Sequence, residues 1–196
     1  MAAPISKQQM HKTPVIPYEK IRDSLKTGHI FFTSGSYLFS GIIQKLTKSP
    51  WSHVAIVYKD EDLGRVMILE AEPSVGIRLI PLSTYLRDYK GTKRPYKGQI
   101  FMAKLTEYPE HEKLKKAISF GLDELTRPYD NWEIIRIMLR ILFRKGKRER
   151  NRSYICSELV KAAFAKAGVD FHMKDTYISP QEIWADHRIE MTYRIL

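Results

Sequence analysis

The sequence predicts an α+β fold in which helices pack against an antiparallel β-sheet. Two observations carry this prediction. Residues 29–105 contain five short runs rich in β-branched and aromatic side chains, separated by turn residues. Residues 111–184 instead place apolar side chains three and four positions apart, which is the spacing of amphipathic helices. Strands in one half of the chain and helices in the other favour a layered α+β domain over alternating βα units.

The five runs are the predicted strands. Residues 29–33 form a buried run, and residues 53–58 form an uninterrupted apolar run that is typical of a central strand. A polar turn separates the second run from another over 66–71, so these two strands are expected to pair as a hairpin. Alternating apolar and polar side chains predict a strand over 76–81, and residues 99–105 form the last one.

Helical spacing of apolar residues, together with end signals, predicts the helices. Ser36 is placed to cap the second of them, and Gly168 to end the fifth. Residues 1–17 contain three prolines and little periodicity, so we expect a flexible leader there and one domain over 18–196. The predicted helices cover residues 18–26, 37–46, 111–125, 131–144, 156–167 and 179–184.

Composition limits the function classes. The chain has 196 residues, of which 43% are hydrophobic, so a largely disordered chain is excluded. A single cysteine, Cys156, excludes an internal disulfide and a cysteine-rich zinc module, and it suits a reducing compartment. The net charge of +11 favours a polyanionic partner, although many basic proteins have none.

Three residues could carry chemistry. Cys156 begins an amphipathic helix, where the helix dipole and unpaired N–H groups favour a thiolate. His53 opens a buried strand and could accept the thiol proton, and Glu70 ends the neighbouring strand, where a carboxylate could orient the imidazole. If the two strands pair, both side chains can point to one face, and a helix packed on that face could deliver Cys156. Residue types alone also allow an inert core cysteine and a structural histidine.

The local sequences around these residues resemble those of circularly permuted papain-like cysteine hydrolases, specifically the YiiX/YaeF-like group related to NlpC-type amidases. The resemblance lies in Trp-Ser-His-Val-Ala-Ile-Val (51–57), Leu-Glu-Ala (69–71) and Tyr-Ile-Cys-Ser-Glu-Leu-Val (154–160). The segment 25–32 resembles the group's opening strand, and Ser-Pro at 179–180 resembles its closing segment.

The resemblance implies a permuted papain-like catalytic domain in which Cys156 is the nucleophile, His53 the base and Glu70 its orienting partner. It also implies that the Cys156 backbone N–H contributes to an oxyanion hole. One departure is His29, which stands where the group usually has aspartate; that position lies outside the triad, so the departure concerns local loop structure. The group includes peptidoglycan peptide amidases and lipid-acting acyl transferases, and both substrate classes stay open.

A basic segment over 132–152 departs from the group. In a helix its arginines would form one stripe beside apolar residues, a pattern that suits an anionic membrane surface. A core helix with solvated arginines fits the same pattern, and nucleic acid ranks last because the basic run lacks interleaved aromatics. The residues expected to contact a membrane are Arg136, Arg140, Arg144, Lys145, Lys147 and Arg148.

The sequence thus predicts a thiol-dependent hydrolase or acyl transferase that cleaves an amide or ester bond through an acyl-cysteine intermediate. The alternative is a non-enzymatic basic protein that binds an anionic membrane surface or another polyanion. No metal-ligand spacing and no phosphate loop appears, so we expect no metal and no cofactor. The first 30 residues carry no secretory signal pattern, and no run of about 18 apolar residues occurs, which favours a cytoplasmic location with peripheral membrane contact.

Overall fold

A computed structural model describes residues 5–72, 74–126, 156–171 and 178–196 of the chain. The helix predicted over 131–144 lies outside the described residues. Six strands form one antiparallel sheet with the spatial order β4-β3-β2-β1-β5-β6. The strands are β1 (Ile30–Gly35), β2 (His53–Asp60), β3 (Arg65–Glu72), β4 (Gly76–Pro81), β5 (Gly98–Leu105) and β6 (Ile189–Arg194).

The structure confirms the α+β prediction, because helices pack against the antiparallel sheet. Two short 3₁₀ helices, Arg22–Ser24 and Tyr89–Gly91, accompany them. The β2–β3 hairpin is also confirmed, with Ile56 opposite Leu69. The helices are α1 (Lys7–Lys12), α2 (Tyr18–Ile21), α3 (Leu38–Thr47), α4 (Leu82–Arg87), α5 (His111–Asp123), α6 (Cys156–Lys166) and α7 (Pro180–Trp184).

Side chains alternate between the two faces of the sheet. Helices pack on both faces, so the sheet is the middle of three layers. One face, with Phe32, Val54 and Leu69, packs against α5, α6 and α7. The opposite face, with Val57 and Ile68, packs against α4 and the segment that ends at Leu25. Burial on both faces explains why the β2 segment is continuously apolar rather than alternating.

The sequence did not predict three elements. Edge strand β6 pairs with β5. Helix α4 follows directly on β4. Helix α1 lies inside the segment expected to be a flexible leader: Ser6 and Gln9 form a capping box, and Met10 is wholly buried. Arg194 of β6 donates to the carbonyls of Met10, His11 and Thr13, so hydrogen bonds join this helix to the edge of the sheet.

The cap predicted at Ser36 is wrong. The residue that precedes α3 is Tyr37, and no side chain caps the helix. The Ser36 hydroxyl instead donates to the backbone carbonyl of Lys97 at 2.9 Å, because β5 begins beside the end of β1. In the described part of the chain, no helix combines the length and the apolar character that a membrane span needs.

Candidate active site

His53 and Glu70 meet across two neighbouring strands. His53 is the first residue of β2, and its Nε2 lies 2.6 Å from Oε2 of Glu70 on β3. The pairing of Ile56 with Leu69 makes the two residues diagonal neighbours, and alternation directs both side chains to the face covered by α4. The sequence-based expectation that they share a face agrees with this geometry.

Four donors surround the Glu70 carboxylate, which is 0% exposed. Arg78, directly opposite on β4, donates to Oε1 through Nε at 2.8 Å, and its Nη2 lies 2.7 Å from the same oxygen in an ion pair. The Tyr85 hydroxyl from α4 donates to Oε2 at 2.7 Å, beside the His53 bond. The carboxylate therefore has three hydrogen bonds and the adjacent guanidinium charge, which together support its ionised form in a buried position.

Cys156 reaches His53 from the other side of the sheet. It is the first residue of α6, whose Leu159, Val160 and Phe164 pack on the face opposite to that of the Glu70 side chain. The helix is therefore not on the shared face that the sequence suggested. Because Cys156 and His53 each begin their element, the thiol nevertheless lies within hydrogen-bond distance of the imidazole at the end of the strand.

Helix α7 connects the two halves of the site. Ser157, beside the thiol, donates to the Ile178 carbonyl just before α7. Gln181 of α7 accepts a hydrogen bond from Ser49, a few residues before His53. The ring centroids of Trp184 and Trp51 lie 4.5 Å apart, and both side chains are buried. The position of Cys156 relative to β2 thus depends on packing behind the site.

The pKa values of the three groups shift in directions that favour charge separation. Burial alone would raise the pKa of Cys156, but the hydrogen bond and charge of His53, with the backbone N–H groups of Val54 and Ser157, lower it. Burial would likewise lower the pKa of His53, but its bonds to Cys156 and Glu70 raise it to about 10. Burial opposes ionisation of Glu70 too, yet His53, Arg78 and Tyr85 lower its pKa.

These directions describe a thiolate, an imidazolium and a carboxylate in a row. Since Nε2 of His53 bonds Glu70, the remaining ring nitrogen, Nδ1, is the one that faces the sulfur. The α6 N-terminus adds the positive end of its helix dipole at Cys156. Such an arrangement can present a nucleophilic sulfur together with a proton donor at neutral pH.

Sequence reasoning missed Arg78 and Tyr85. The alternating pattern of β4 predicted a strand but not its partner, and the pairing register places Arg78 opposite Glu70. Tyr85 lies on a short helix that no periodicity indicated. Within the described ranges, no three His, Cys, Asp or Glu side chains are grouped to hold a metal ion. The basic segment with Arg136, Arg140, Arg144, Lys145, Lys147 and Arg148 lies outside the described residues.

A histidine early on a strand, an acid on the next strand and a cysteine last at the start of a helix define the permuted papain-like class. A family model described as "Permuted papain-like amidase enzyme, YaeF/YiiX, C92 family" matches residues 24–190. Because the match covers most of the chain, the protein belongs to this family of permuted papain-like amidases. The resemblance stated from the sequence motifs is thereby confirmed, and the family indicates a cysteine hydrolase.

A solved structure supports the same fold. The crystal structure of the metalloprotein yiiX from Escherichia coli O157:H7 superposes with a TM-score of 0.61 at 16% identity, covering 86% of this chain and 97% of that one. At this identity the likeness concerns the fold. A comparison with curated proteins gave no match.

Proposed function

We propose that Cys156, His53 and Glu70 form a catalytic triad that hydrolyses an amide bond through an acyl-cysteine intermediate. The observation that carries the proposal is the imidazole of His53, which bonds the thiol on one side and the buried Glu70 carboxylate at 2.6 Å on the other. Family membership supports the reaction class, since the matched family consists of amidases.

The proposed reaction has two halves. The Cys156 thiolate attacks the carbonyl carbon, and the His53 imidazolium gives its proton to the departing amine as the C–N bond breaks. The acyl group is then held as a thioester on Cys156. His53, now neutral, takes a proton from water as the water oxygen attacks the thioester carbonyl. The C–S bond then breaks, which releases the carboxylic acid and regenerates the thiolate beside the His53 imidazolium.

Glu70 acts in this scheme by orienting the ring and stabilising its charged form. Its bond to Nε2 leaves Nδ1 directed at the sulfur, which fixes the tautomer of the neutral ring. The backbone N–H of Cys156 at the head of α6 is proposed to donate to the oxyanion of the tetrahedral intermediate. A lipid acyl ester, with transfer to an acceptor other than water, is the alternative substrate that the basic segment of the sequence favours.

Intact-mass spectrometry of the protein after incubation with peptide amides and with acyl esters tests the proposal. An acyl adduct should appear on Cys156 and be absent from Cys156→Ala. The class of donor that leaves the adduct identifies the substrate class.

Turnover of that donor should fall by several orders of magnitude in both Cys156→Ala and His53→Ala, while their circular dichroism matches the parent's, since neither change adds bulk. Turnover near the parent rate in Cys156→Ala would disprove the triad.

A further inference from the structure

Two residues outside the triad hold its carboxylate. Arg78 donates to Oε1 of Glu70 from Nε and places Nη2 2.7 Å from the same oxygen, and Tyr85 donates its hydroxyl to Oε2, so three of the four close polar contacts to this carboxylate come from these two residues. Arg78 lies on β4 and Tyr85 on α4, whereas His53 lies on β2. The carboxylate therefore has most of its partners on elements other than the strand that carries His53.

Charge balance gives these contacts a consequence. Thiolate, imidazolium, carboxylate and guanidinium sum to zero, and Glu70 is 0% exposed while the Arg78 side chain is only 23% exposed. If Arg78 were neutral, the same site would carry a net negative charge and would bind an additional proton more readily. That proton would end the thiolate–imidazolium state, whichever of Glu70 and Cys156 received it.

Resting on the proposed function, we infer that Arg78 and Tyr85 are positioning residues that act through Glu70 to extend thiolate formation at Cys156 to acidic pH. Tyr85 remains a protonated donor over this range, because burial and the Glu70 charge raise its pKa well above the usual value. In the described part of the chain, four titratable or charged groups face Glu70 from other elements: His53 of β2, Arg78 of β4, Tyr85 of α4 and Tyr89 of the second 3₁₀ helix. On β3 itself the neighbouring charged group is Glu72, which pairs with Lys90.

The pH dependence of iodoacetamide alkylation tests this inference without any substrate. Cys156 is the sole cysteine, so the alkylation rate reports on it alone. In Arg78→Met the acid-side midpoint of the rate profile should rise by about one pH unit or more, the shift expected when an opposite charge in direct contact is removed. Arg78→Lys keeps the charge and should restore most of the midpoint. Tyr85→Phe removes one donor and should raise it by about half a pH unit.

Lys90→Met is the matched control. It removes a cation from Glu72, the neighbouring acid of the same strand, with which Lys90 forms a 2.8 Å ion pair. Because that acid does not bond His53, the acid-side midpoint should stay at the parent value. If Arg78 had only a structural role, Arg78→Met would lower the amount of folded protein. The alkylation midpoint of the protein that still folds would then equal the parent value.

The outcomes distinguish a failure of the proposed triad from a failure of the inference about Arg78 and Tyr85. A parent midpoint near 8.5, the value of an ordinary thiol, would refute the proposed triad. A low parent midpoint that Arg78→Met leaves unchanged would refute the inference and keep the triad. If Arg78→Met does not fold, Arg78→Lys and Tyr85→Phe decide, and two unshifted profiles would refute it. An equally large effect of Arg78→Met in a Glu70→Gln background would show that Arg78 does not act through Glu70, which also overturns the inference.

Discussion

Glu70→Gln replaces one carboxylate oxygen by an amide group and changes little else in size. Around this side chain stand four donors: the Nε and Nη2 groups of Arg78 at Oε1, and the hydroxyl of Tyr85 and the Nε2 group of His53 at Oε2. An amide has one acceptor oxygen, which can keep the Arg78 contact, and its NH₂ group then points at the Tyr85 hydroxyl and at Nε2 of His53, which must accept instead of donate. The variant therefore loses the buried charge that pairs with Arg78, and it favours the neutral His53 tautomer that carries its proton on Nδ1, the nitrogen that faces the sulfur.

The magnitude follows from those contacts. Removing one partner of a buried ion pair costs about 3–5 kcal/mol, and Arg78 is 23% exposed, so the free energy of unfolding should fall by at most about that amount. Loss of the adjacent negative charge should lower the pKa of the His53 imidazolium by about one to three units, which reduces thiolate reactivity roughly tenfold to a thousandfold. Loss of the base itself in His53→Ala should cost more, because no group then takes the thiol proton.

Urea unfolding at pH 7 and alkylation of Cys156 at pH 6 measure the two effects. Glu72→Gln is the control, because Glu72 is a second buried acid of β3 that bonds Lys90 and Ser74 rather than His53. It should leave the alkylation rate unchanged. An alkylation rate in Glu70→Gln equal to the parent's, in a folded variant, would show that Glu70 does not support the imidazolium.

The lowered pKa of Glu70 also determines how its contribution to stability changes with pH. The pKa of Glu70 is lowered on folding, so its contribution to stability is complete above the unfolded value of about 4.5 and is lost as the pH falls through the folded value. The stability difference between the parent and Glu70→Gln should accordingly be largest above pH ~4.5 and shrink below it.

Two further predictions concern other regions. Burial, together with the charges of Lys104 and Lys26, lowers the pKa of His29 to about 4, so folding disfavours its protonation. The free energy of unfolding should therefore decline as the pH falls from 6.5 toward 4. Urea titrations of His29→Asn should show a smaller decline, and an unchanged decline would contradict this prediction. Binding to anionic vesicles should exceed binding to neutral ones and weaken with salt, since each basic group near the surface contributes about 1 kcal/mol. Equal sedimentation of the parent and of a variant with Lys145, Lys147, Arg148 and Arg150 changed to glutamine would contradict a membrane role for the basic segment.

The sequence predicted what depends on local pattern. His53 and Cys156 stand out because each begins an element, Glu70 because it is an acid near the end of an apolar strand, and all three lie within short recognisable segments. The strands follow from their apolar runs. The support of Glu70 was not predictable in this way, because the Arg78 contact requires the β3–β4 register and the Tyr85 contact requires the docking of a six-residue helix. The layer occupied by α6 was missed for the same reason: periodicity shows that a helix has an apolar side, not which face of the sheet it covers.

The contact between Trp51 and Trp184, whose ring planes are tilted by 45°, gives the site an optical signature. The two indoles come from the segment before β2 and from α7, the elements that hold His53 and the start of α6 in relation to each other. At a centroid separation of 4.5 Å their electronic transitions couple, and the coupling vanishes once the rings part. The third tryptophan, Trp132, lies elsewhere in the sequence and can be replaced by phenylalanine. Circular dichroism in the indole bands would then follow separation of the cysteine-bearing helix from the histidine-bearing strand while the amide signal still reports an intact sheet.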